Sequence, residues 1–102
     1  MNTAFLLMAQ YDAQAVIPID KVVRDYFPHI STDKFLRKVA MGEINIPLLR
    51  IEPGSQKTAK GVHLIDLAKY LDDRRAAALK EARQLSGLGR LTSEITEART
   101  LL

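Results

Sequence analysis

The chain has no cysteine among its 102 residues. That excludes a disulfide framework, a thiolate nucleophile and any zinc site built on cysteine, and is compatible with a reducing cytoplasm, the expected location. Histidine is nearly absent too: His29 stands beside Pro28 in an expected turn, and His63 falls in an expected strand. No His-Glu-x-x-His pair, phosphate-cradling glycine loop or nucleophile elbow accompanies them. Both are read as structural, with a phosphate or base-edge contact as the alternative. The adjacent Asp72 and Asp73 read as a solvated helix face rather than a catalytic pair. No catalytic residue, metal or cofactor is therefore expected.

Long apolar runs are also missing. Residues 4–9 are apolar, but the run is short, follows no basic residue, and gives way at once to Gln10, Tyr11 and Asp12. Neither a signal peptide nor a membrane span is expected. No internal repeat or low-complexity tract is visible.

What is present suits one small domain. The hydrophobic fraction of 47% is enough for a single modest core. The formal net charge of +3 and pI of about 9.4 fit a polyanionic partner without requiring one.

Thr3 is placed to cap a first helix over residues 4–12, whose Phe5, Leu6, Leu7, Met8 and Ala9 leave almost no polar face; such a helix must be covered by the core or by a partner chain. Ala15, Val16 and Ile17 form a short extended segment closed by Pro18. A helix then begins near Ile19 or Asp20. Its apolar stripe is Ile19, Val22, Val23, Tyr26 and Phe27, with Asp20, Lys21, Arg24 and Asp25 outward, and Pro28 ends it. Ser31 or Thr32 caps the next helix, Phe35, Leu36, Val39 and Ala40 supply its buried stripe, and Gly42 its left-handed stop. Residues 44–51 alternate as a strand, with Pro47 implying an edge or bulge. A polar, basic turn follows, and Val62 and Leu64 return around His63 as the second strand of a hairpin. Asp66 is the expected cap of a long helix to about Leu85. The four residues Ser86, Gly87, Leu88 and Gly89 read as a break, which divides the chain into residues 1–85 and a hinge with short amphipathic tail over 86–102.

Two elements concentrate basic and hydroxyl groups. The exposed side of the second short helix carries Ser31, Thr32, Lys34, Arg37 and Lys38, and a preceding helix at a steep angle would present that side to a DNA major groove. The hairpin carries Arg50, Ser55, Gln56, Lys57, Thr58 and Lys60, suited to an adjacent phosphate backbone or minor groove. Either element alone reads as an ordinary wet face. Together they favour double-stranded DNA.

The segments TAFLLMAQYDAQAVIPIDKVVRDYFPH, FLRKVAMGEINIPLLRIE, the SQK of the hairpin and GVHLIDLAKYLD, in that order, resemble the pyocin activator protein family, transcriptional activators of Pseudomonas bacteriocin genes and related prophage loci. The resemblance spans residues 1–75. It implies a sequence-specific DNA-binding activator acting at promoter-proximal boxes. More remotely, the element order is similar to the small winged-helix domains of excisionases and MerR-type regulators, which by position makes residues 31–41 the reading helix and 50–61 the wing.

The expected fold is thus α+β, mostly helical: a winged helix-turn-helix with a two-stranded wing and a long C-terminal helix. The expected protein is a homodimer, joined through Phe5 and Leu6 of the first helix, through Leu71, Ala78, Ala82 and Leu85 of the last, or through both. The charged face around Asp72, Asp73 and Arg74 is a candidate contact for RNA polymerase. The rival expectation is a phage-encoded adaptor or antirepressor that captures another protein through the same apolar surfaces.

Overall fold

The computed structural model describes residues 2–54 and 59–101, and beyond Gly87 the backbone alone; Ser55, Gln56, Lys57 and Thr58 lie outside the described residues. Helix α1 runs Thr3–Gln10. Its cap is Asn2 rather than Thr3: the Asn2 side-chain oxygen accepts a hydrogen bond from the Phe5 N–H at 2.8 Å, and asparagine serves this role at least as well as threonine. The helix stops two residues short of Asp12 because Asp12 and Ala13 take left-handed backbone angles, φ 53° and 60°. The resulting turn satisfies late helical carbonyls, with Ala13 N–H donating to Met8 C=O at 2.8 Å and Gln14 N–H to Tyr11 C=O at 3.0 Å.

Strand β1 (Val16–Pro18) leads directly into α2 (Ile19–Tyr26), which buries Ile19, Val22 and Val23. Helix α3 (Thr32–Ala40) is capped by Ser31, whose Oγ accepts from the Lys34 N–H at 3.2 Å. Gly42 follows it at φ 76° and donates to the Val39 carbonyl at 3.1 Å, a left-handed stop.

The strand expected over residues 44–51 shrinks to β2 (Leu49–Arg50). Ile44 and Ile46 are buried, as an alternating strand would have them, but Ile46 N–H donates to Ile44 C=O at 3.0 Å, a local turn in place of a ladder. Pro47 has no N–H to offer a neighbouring strand. Strand β3 is Lys60–His63, and Leu64, expected as its last inward residue, instead opens helix α4 (Leu64–Leu101). The two-stranded hairpin expected from the sequence is instead part of a three-stranded antiparallel sheet of order β1-β3-β2. Val16, Ile17 and Pro18 pair with His63, Val62 and Gly61, while Leu49 and Arg50 pair with Gly61 and Lys60. Gly61 is required at the centre: a Cβ there would sit 2.5 Å from Val16 Cγ1 and 2.8 Å from the Ile17 carbonyl oxygen.

The core lies where α2, α3, the sheet and the first turns of α4 meet, and Phe35, Ile17, Leu67, Val22 and Val62 are its fully buried members. Phe27, just past α2, bridges the helices: its ring lies 4.9 Å from that of Phe35 and 5.8 Å from that of Tyr70, centroid to centroid. Tilted aromatic pairs in this range contribute beyond their area alone.

Helix α4 is not capped by Asp66, which sits within its first turn. His63 takes the role, its Nδ1 accepting from the Ile65 N–H at 3.1 Å. Nor does the helix break at the glycines; Ser86, Gly87, Leu88 and Gly89 all have helical backbone. The chain divides into two units, Met1–Leu71 and Asp72–Leu102, so the boundary lies within α4.

Candidate nucleic-acid interface

Helical periodicity decides which α3 side chains reach solvent. Phe35 is fully buried, and Leu36 and Val39 pack against the core. The opposite side is therefore Asp33, Lys34, Arg37, Ala40 and Met41, all exposed. Lys34 and Arg37 stand one turn apart on this side, with no ion-pair partner among the described residues. Lys38 is different: half-buried, its ammonium lies 3.5 Å from the Glu43 carboxylate. Ser31 and Thr32 flank the helix start; the Ser31 hydroxyl oxygen is engaged as the cap, and Thr32 is half-buried.

The second basic surface is made by the sheet. Arg50 lies directly opposite Lys60 in the β2–β3 ladder, which puts both side chains on one face of the sheet with Cβ atoms about 5 Å apart. Like charges so placed repel one another. Neither has an acidic partner among the described residues, and β2 is an edge strand. An anion between them would turn that repulsion into two attractive contacts. Ser55, Gln56 and Lys57, which were expected to extend this surface, lie outside the described residues.

The remaining expected residues divide by environment. Phe5 and Leu6 on α1 are 59% and 52% exposed, while Leu71 packs partly on the core of its own chain. Ala78, Ala82 and Leu85 are exposed, as are Asp72, Asp73 and Arg74.

Asp25, expected on the wet side of α2, is instead the centre of a side-chain network. It accepts from Tyr11 Oη at 2.7 Å and from Arg24 Nε at 2.8 Å and Nη2 at 3.1 Å. Arg24, then Tyr11, hold its carboxyl below the ordinary carboxylate range. Burial, then the neighbouring carboxylate, push the Tyr11 phenol well above its usual value. Tyr26 Oη completes the tie by donating to Gln10 Oε1 at 2.7 Å. The network joins α1 to α2 through residues 14 to 16 apart, a separation that no local sequence pattern reports. Among the described residues no group of three or more acidic or histidine side chains could hold a metal ion, and no helix is long and apolar enough to cross a membrane.

The family model described as Pyocin activator protein PrtN matches residues 3–78. The chain belongs to the pyocin activator family. Membership gives it a role in activating pyocin genes, and the family is regulatory rather than enzymatic. The match takes in every element from α1 to β3 and the start of α4, hence both basic surfaces. No curated protein and no solved structure gives a significant match to the chain.

Proposed function

We propose that this pyocin activator family member is a cytoplasmic, sequence-specific DNA-binding protein that activates pyocin or prophage genes through a winged helix-turn-helix. In this reading α2 backs α3, α3 enters the major groove, and β2 and β3 form the wing. The observation that carries it is the pairing of Arg50 with Lys60 across the β2–β3 ladder. Two facing cations at a sheet edge destabilise a free protein and fit a phosphate backbone. The exposed Lys34 and Arg37 supply the complementary reading surface, since such side chains engage phosphates and the guanine edge.

A homodimer would present two reading helices to paired half-sites. The exposed apolar groups of α1 and the Ala78, Ala82, Leu85 seam of α4 are the proposed contacts, and Asp72, Asp73 and Arg74 the proposed surface for RNA polymerase. The exposed Phe5, Leu6 and Met8 also favour a second reading, an adaptor or antirepressor that captures another protein.

Gel-shift titration against pyocin promoter DNA and random DNA at two salt concentrations separates the two. The activator reading expects sequence preference and a steep salt slope, about 0.9 log units per neutralised phosphate. Equal binding to both DNAs, or none, would sink it. Within it, Arg37→Ala is expected to lose discrimination between sequences, and Lys60→Ala to weaken binding to all of them by a similar factor.

A further inference from the structure

Met41 stands where an ionic residue would be ordinary. At the C-cap of α3 its side chain is 66% exposed, more than the other exposed large hydrophobic residues described. It takes no part in the core that Leu36 and Val39 pack against. It lies seven residues after Lys34 and four after Arg37, so the three follow one another along the same side of the helix. Ala40 is exposed beside it. The basic face of α3 therefore ends in a small apolar patch.

Exposed apolar surface gains by leaving water, but the cations beside this patch select what can cover it. A polyanion matches Lys34 and Arg37. Within the major groove of DNA the apolar feature that distinguishes one base from the rest is the C5-methyl group of thymine. We infer that Met41, with Ala40 beside it, is a specificity residue that packs on thymine methyl groups while Arg37 faces a guanine edge. Four residues of helix advance about 6 Å, and successive base pairs are about 3.4 Å apart. The thymine therefore lies one to two base pairs from the guanine. The inference rests on the reading of α3 as the recognition helix.

The test removes the methyl group and nothing else. Duplexes enriched from a random pool by the wild-type protein are remade with deoxyuridine in place of thymidine, which keeps every hydrogen-bonding group in the groove. Wild-type affinity is expected to fall about fourfold for each contacted methyl. Met41→Ala is expected to bind the thymidine duplex several-fold more weakly and to lose clearly less than wild type on the exchange. Met41→Leu is expected to restore the sensitivity. Because Met41 lies outside the core, circular dichroism and thermal melting of both variants should match wild type. A wild-type protein that binds both duplexes equally, or a Met41→Ala protein that loses as much as wild type on the exchange, overturns the inference and leaves sequence-specific binding standing. Failure of the wild-type protein to enrich any sequence overturns the underlying DNA reading, and the inference with it.

Discussion

Along α4, Leu64, Leu67 and Ala68 are buried, whereas every residue over 72–87 is exposed. The two stretches share one helix but are held by different physics. The first is helical because the core needs its apolar side chains. The second is exposed among the described residues of its own chain, yet every residue from Arg74 to Leu85 is alanine, leucine, arginine, lysine, glutamate or glutamine, the strongest helix formers. The packed turns also supply the nucleus, so the exposed stretch has only to propagate. A helix can thus be specified by burial at one end and by propensity alone at the other.

Three measurements test that division, and the largest effect belongs to the packed region. Phe35→Ala removes a fully buried ring in contact with Phe27 and is expected to cost about 3–5 kcal/mol in urea denaturation. A loss near zero would mean that the core does not hold α3.

A smaller effect is expected where α1 joins α2. Asp25→Asn should cost about 1 kcal/mol at neutral pH, since the site is partly open to solvent. The folded-state carboxyl is held below its ordinary value of 3.8. Its stabilisation is therefore present above about pH 4 and is lost as the pH falls through the lower folded value. Wild type should lose stability down that acid limb, and Asp25→Asn should show a shallower one. Parallel limbs would show that the network contributes nothing.

The smallest effect sharpens the comparison most. Leu79 is exposed in a single chain, so at dilution Leu79→Ala should change stability by less than about 0.5 kcal/mol. Melting at two protein concentrations checks this. A loss that grows with concentration is the result that the proposed dimer contact on α4 requires, and its absence would leave α1 as the proposed contact.

The same contrast explains how much was legible beforehand. Helices α2 and α3, the Ser31 cap and the Gly42 stop follow from local signals, and residues 34 and 37 take the outer side of α3 by periodicity alone. The pairing of β1 with β3 was not legible, because Val16 and His63 are far apart in sequence and nothing near either names the other. Without that register the crowding at Gly61 cannot be derived, and the opposition of Arg50 and Lys60 needs the separate register of β2 on β3. His63 was read as a strand residue although it also caps α4, since histidine is not among the customary caps. The break expected at Gly87 and Gly89 weighed two residues that each cost a helix about 1 kcal/mol above the strong formers before them. Arg37 was therefore readable as an exposed cation on the outer side of α3, while the facing of Arg50 and Lys60 became visible only with the ladder.

The strand order has a kinetic consequence. Both outer strands pair with β3, not with each other. A growing chain that ends at Ala59 contains the residues of α1, β1, α2, α3 and β2 but not the strand with which β1 and β2 pair. Closing β1 on β3 spans the whole of α2 and α3, so that pairing carries the loop-closure entropy of the segment between them. The sheet of this unit cannot close without Lys60–His63, and a chain released before that strand is expected to expose Ile17 and Val22 to degradation or aggregation.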